Sequence, residues 1–124
     1  MAKEIRRFDL EERTLKFSQK IFSLIKSADK SFANNEICKQ LMRAAGSIGA
    51  NYIEANEALS KKDFLYRVKI CKKESKEARY WLNIVFIEND DFNKQKAELI
   101  QEATELMNIF GAIIRNSKNH KISL

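Results

Sequence analysis

Residues 60–88 read SKKDFLYRVKICKKESKEARYWLNIVFIE, and one line of side chains runs through them: Phe64, Val68, Cys71, Ser75, Ala78, Leu82 and Val85. The steps along that line are 4, 3, 4, 3, 4 and 3. This is the spacing of a seam on an α-helix, where residues three and four apart fall on one face. A strand would instead alternate at every second residue. Ser60-Lys61-Lys62-Asp63 offers a hydroxyl followed by a carboxylate three positions on, the signature of a helix start. The stretch predicts a helix over 61–88, about 42 Å long at 1.5 Å per residue.

The same reading works outward in both directions. Ile37, Leu41, Ala44, Ile48, Tyr52 and Ala55 line one face of a helix over 34–57. Its middle is crowded with small residues: Ala44, Ala45, Gly46, Ser47, Gly49 and Ala50. Each interior glycine costs about 1 kcal/mol relative to alanine, so the expectation is that both let another helix approach closely. Leu10, Phe17, Ile21 and Leu24, with Phe22 and Ile25 widening the stripe, predict a helix over 9–28 capped by Asp9. Downstream, Asn89-Asp90-Asp91 reads as a turn. Phe92, Leu99, Ala103, Leu106, Phe110 and Ile113 then predict a fourth helix over 92–116, followed by a polar tail.

Composition agrees with these four patterns. The 124 residues include no Pro and three Gly, too little punctuation for a strand-and-turn protein. An apolar content of 44%, with eight Phe, excludes a disordered chain. Four amphipathic helices with short connections bury their stripes only on one another. The expected architecture is all-α: a single domain over 1–124, folded as an antiparallel up-down-up-down four-helix bundle.

Several functions are excluded by what is missing. No apolar run follows the opening Met1-Ala2-Lys3-Glu4-Ile5-Arg6-Arg7, and no stretch approaches a membrane span, so a cytoplasmic location is expected. Cys38 and Cys71 each sit inside a helical pattern and read as small reduced core residues rather than a disulfide. A di-iron bundle needs inward Glu-x-x-His pairs, but the one histidine is His120, in the tail. Two cysteines and that histidine are too few for a zinc site. Neither a glycine-rich phosphate loop nor a nucleophile with a histidine base is present. The reading is of a protein with no catalytic residue, no metal and no cofactor.

The charge is where the sequence becomes specific. Of a net +6, five units come from residues 61–79, where eight basic side chains face Asp63, Glu74 and Glu77. Placed on a wheel, the third helix separates three bands. One is the core seam. Opposite it lie Lys62, Lys69, Lys73 and Lys76 in a stripe about 60° wide, with Tyr66 and Tyr80 among them and Lys72 and Arg79 on the flank. Lysines interleaved with aromatic rings suit a phosphate backbone with an unpaired base stacked between. The plainer alternative is a solvated face whose tyrosines cover lysine stems. A third band holds Ile70, Trp81 and Ile84, a second apolar stripe that a bundle helix does not need for folding. A subunit interface is the simplest use for it, and a wide core face is the alternative. On the second helix Arg43, Ser47, Asn51 and Glu54 form a polar line, with Arg43 near Ser47 and Asn51 near Glu54. Such a line either forms a ligand cleft or, more commonly, fixes helix register, with Arg43 pairing Glu77 or Glu74 if the two faces meet.

Together, Arg43-Ala44-Ala45-Gly46-Ser47-Ile48-Gly49-Ala50-Asn51, Glu54-Ala55 and Ser60-Lys61-Lys62-Asp63-Phe64 resemble the 23S rRNA intervening-sequence protein family. Lys73-Glu74, Glu77-Ala78 and Tyr80-Trp81-Leu82 look like the subgroup whose third helix ends in Glu-x-x-Tyr-Trp-Leu. Many members carry Pro where Gly49 stands and Ala-Glu-Gly where Ile53-Glu54-Ala55 stand. The resemblance implies an antiparallel four-helix bundle that assembles as a homopentamer. Some genes of the family lie within inserts of bacterial 23S rRNA genes, which by itself establishes no activity. A bundle of similar fold serves as the accessory protein of diversity-generating retroelements, where a basic pentameric barrel binds nucleic acid and a reverse transcriptase. The expected partners are therefore other copies of the chain and RNA or DNA. A protein scaffold serving an enzyme partner is the main rival.

Overall fold

The computed structural model describes residues 2–119, with side chains over 10–117; His120 lies outside the described residues. Four helices make up almost all of it: α1 (Ala2–Lys26), α2 (Phe32–Asn56), α3 (Lys61–Ile84) and α4 (Asn93–Asn119). A short 3-10 turn, Asp90–Phe92, precedes α4. No strand occurs among the described residues. The helices form a four-helix bundle in which α2 packs most extensively on α3, α3 on α4, and α1 on α2.

The stripes read from sequence form its core. Phe17, Ile21, Leu24, Leu41, Ile48, Val68, Leu82, Leu106 and Phe110 are each buried to within 1%. The Tyr52 and Phe110 rings meet across the interior with centroids 5.9 Å apart. The α3 seam is buried from Val68 to Val85, while Phe64 is partly covered at its start. Ser75 is tolerated there because its hydroxyl donates to the Cys71 carbonyl at 2.8 Å. The Cys71 thiol, pushed up to about 12 by burial, points at the Ile48 carbonyl 3.4 Å away and is chemically inert.

Five expectations need correction. Helix α1 runs through Asp9 from Ala2, so Asp9 does not cap it. Phe22 leaves the stripe and is 57% exposed, with Lys26 Nζ over its ring at 5.4 Å. Of the two glycines, only Gly49 lies at a close approach: a Cβ there would meet Thr14 Oγ1 of α1 at 3.2 Å, whereas one at Gly46 would meet nothing. Helix α3 ends at Ile84 rather than Glu88, and α4 runs from Asn93 to Asn119 rather than over 92–116.

The early end of α3 has a physical cause. Val85 turns extended at φ −54° and ψ 135°. Val85 and Ile87 then bury their side chains while Phe86 and Glu88 face outward, the alternation of an extended strap. That strap needs backbone partners, and Asn34 of α2 supplies them. Its Nδ2 donates to the carbonyls of Asp29 (2.7 Å) and Phe86 (2.9 Å), and its Oδ1 accepts from the Phe86 amide (2.8 Å). Asp29 Oδ1 accepts from the Glu88 amide and Lys96 Nζ donates to the Val85 carbonyl. By contrast, the start of α3 is as read: Ser60 Oγ accepts from the Asp63 amide at 3.1 Å.

Candidate nucleic-acid interface

Helix α3 carries its charge in two halves. On the flank facing α2, the Arg43 guanidinium meets Glu74 at 2.8 Å through Nη1 and Glu77 through Nη2. The Trp81 indole donates to Glu77 Oε1 at 3.2 Å. Glu74 is 95% covered, so its charge depends on Arg43 for compensation. Burial alone would raise the Glu77 carboxyl, but the hydrogen bonds from Trp81 and Arg43 outweigh it and hold that carboxyl below its ordinary 4.5.

The remaining α2 residues sort differently from the polar line expected. Asn51 donates to the Ser47 carbonyl and hydroxyl at 2.9 and 3.0 Å, and accepts from Arg67 Nη1 of α3 at 3.0 Å. Glu54 is exposed and joins neither cluster. Arg67, which the sequence did not single out, is the residue that brings Asn51 to α3. A wheel showing it on the α2 flank beside Glu74 was the available signal.

The outer face of α3 has the opposite character. Lys62, Lys69, Lys72, Lys73 and Lys76 are exposed, and none has a carboxylate within 4.0 Å among the described residues. Tyr66 and Tyr80 stand among them, 60% and 59% exposed. Tyr66 also faces Arg67, and Tyr80 meets the Trp81 ring edge-on at 5.0 Å. Each ring therefore has one side fixed in place and a large part of its surface open, which is what a stacking platform needs.

On the flank facing α4 the charge is again positive. Arg79 Nη1 donates to Thr104 Oγ1 at 3.3 Å. Lys72 reaches over Gly111: a Cβ at that glycine would stand 3.8 Å from Lys72 Nζ and 3.4 Å from Arg115 Nη1. Arg115 was missed in the sequence because it sits on another helix, beyond the basic segment. Its one signal is the spacing of four that places it a turn beyond Gly111. The acidic residues of α4 face elsewhere: Glu102 and Glu105 bind Arg13 of α1 at 2.7 and 2.9 Å, and Glu98 lines the α1/α4 groove with Lys16 and Lys20. That groove interleaves carboxylates with its cations, Glu98 and Glu102 among Arg13, Lys16 and Lys20, unlike the outer face of α3.

The second apolar stripe is divided. Trp81 is partly buried and packs against the core of its own bundle. Ile70 is half-buried and Ile84 is 43% exposed. Phe86, at 57% exposed, adds to the open apolar surface at this end of α3. Among the described residues no helix is long and apolar enough to cross a membrane.

Comparison with known proteins places these features in context. The family model described as 23S rRNA-intervening sequence protein matches residues 6–112. A solved structure from Bacteroides thetaiotaomicron VPI-5482, a protein of unknown function from the S23 ribosomal protein family, is similar at 30% identity and a TM-score of 0.71. The similarity covers 88% of this chain and 97% of that one. Among the curated proteins nothing matches.

Proposed function

The chain belongs to the 23S rRNA-intervening sequence protein family, and from that premise we propose that it is a non-catalytic, oligomeric protein that binds RNA or DNA through the basic face of α3. The supporting observation is the unneutralised row of Lys62, Lys69, Lys72, Lys73 and Lys76 around two half-open tyrosines. Like charges on one face repel, and no carboxylate among the described residues pairs with these lysines, whereas a phosphate backbone would. In this reading Lys69, Lys73 and Lys76 neutralise phosphates, Lys62, Lys72 and Arg79 flank them, and Tyr66 or Tyr80 stacks a base. The bundle is up-down-up-down. Its copies associate through the side of α3 that carries Ile70 and Ile84 beside Trp81, as a pentamer by family resemblance.

The test is a titration of nuclease-treated protein into labelled single-stranded RNA and duplex DNA at two salt concentrations. Replacing Lys69, Lys73 and Lys76 together by Gln should weaken binding to every sequence and lower the salt slope by up to about three phosphates' worth. Equal affinity and slope in that variant would end the reading. A second reading follows from the exposed Ile84 and Phe86: a scaffold that docks a protein partner at this end of α3. Stoichiometric recovery of one protein after nuclease treatment, with no nucleic-acid binding, would favour it.

A further inference from the structure

Lys72 and Arg115 come from different helices and reach the same bare spot on the α4 backbone. What keeps the spot bare is Gly111, a residue poorly suited to a helix interior. Any larger side chain there would fill the space between the amine and the guanidinium, since even a Cβ would sit in contact with both side chains. Two cations brought this close repel each other, and neither has a carboxylate within 4.0 Å among the described residues. Further along the same crease Arg79 is held by a neutral partner, the Thr104 hydroxyl, which leaves its charge uncompensated.

We propose that the crease between α3 and α4 seats one backbone phosphate of a bound nucleic acid over Gly111, gripped by Lys72 from one side and Arg115 from the other, with Arg79 continuing the path. This rests on the nucleic-acid reading and adds a residue of α4 to it. The chemistry favours a phosphodiester. A guanidinium fork and an ammonium point charge together match a tetrahedral anion with several free oxygens. The crease also runs into the open row of Lys69 and Lys76, so the surface suits a ligand with repeated negative charge better than a single carboxylate.

The experiment compares wild type with Lys72→Gln, Arg115→Gln and the double variant, using a labelled oligouridylate, a labelled DNA duplex and a Glu-rich peptide. Lys39→Gln serves as the charge-matched control, because Lys39 pairs with Glu36 on α2. Each single variant should weaken nucleic-acid binding about fivefold or more. The double variant should lower the salt slope by about one and either single by less, since both groups hold the same phosphate. Gly111→Ala, whose methyl meets only ordinary contacts, should keep the fold and also weaken binding by covering the seat. Variants that match Lys39→Gln overturn the seat while leaving the basic face of α3 standing. A wild-type protein that binds neither nucleic acid overturns both. Tighter binding of the peptide, lost in the same variants, overturns the phosphate and assigns the crease to a protein partner.

Discussion

The side-chain amide of Asn34 holds the Phe86 backbone as a neighbouring strand would, donating to its carbonyl at 2.9 Å and accepting its N–H at 2.8 Å. Asn34 is 93% covered, so water cannot easily take over either bond. Asn34→Ala should therefore lower stability by about 2 kcal/mol in urea denaturation. Hydrogen exchange at the Phe86 and Glu88 amides should accelerate while the interiors of α2 and α3 stay protected. Unchanged exchange at Phe86 would show that the strap is held by Val85 and Ile87 alone.

Arg43 compensates the covered Glu74 and the half-exposed side of Glu77 together. Arg43→Ala should cost about 2 kcal/mol, most of it from leaving the Glu74 charge stranded. The pH dependence has a definite sign. Glu77 titrates below 4.5 in the folded protein, so its contribution is present above that pH and is lost as the pH falls through the folded value. Denaturation midpoints of wild type and Glu77→Gln should differ at neutral pH and converge in acid. Parallel curves would mean that the Arg43 pair adds nothing through Glu77.

The two α2 glycines should respond oppositely to alanine. Gly46→Ala adds a methyl that meets nothing and should stabilise the protein by about 1 kcal/mol through helix propensity. At Gly49 the methyl meets the Thr14 hydroxyl, which is buried and bonded to the Leu10 and Glu11 carbonyls, so yielding to the methyl would strain those bonds. Gly49→Ala should forfeit that gain and lower the melting temperature. A matched rise in both variants would show that α1 can shift away from α2.

Trp81 and Ile84 separate folding from assembly. Trp81→Ala opens the edge of the core and releases Glu77, so thermal unfolding should occur earlier, by about 2 kcal/mol of stability. Ile84→Glu touches an exposed position and should leave stability within about 0.5 kcal/mol. If this end of α3 joins copies, Ile84→Glu lowers the solution mass measured by light scattering. A mass that moves only with Trp81→Ala would place the contact elsewhere.

The parts of the fold that were legible in the sequence are those set by local periodicity. The α3 seam, the Ser60 cap and the α2 face needed only the 3.6-residue repeat and a hydroxyl at the right offset. The end of α3 was not legible, because Val85, Phe86 and Ile87 continue an apolar pattern that suits helix and strap equally. What decides between them is Asn34, more than fifty positions earlier in the chain. The candidate site divides along the same line. Lysines on one helix declare themselves by spacing, whereas Arg115 becomes relevant only once Gly111 has brought α4 beneath Lys72. Glu54 failed as a network member for the converse reason: it shares a sequence line with Asn51, but the Asn51 Nδ2 that its carboxylate would need as donor is directed at Ser47.

The sorting of charge on α3, carboxylates paired toward α2 and cations without carboxylate partners toward α4 and solvent, gives this helix a sideways gradient of charge. A polyanion drifting past it experiences a torque as well as an attraction, and is turned toward the basic side before any contact forms. At physiological salt the field is screened over about 8 Å, so this alignment acts only in the last step of approach. For the proposed nucleic-acid complex this predicts that the rate of capture, more than the lifetime of the complex, answers to ionic strength.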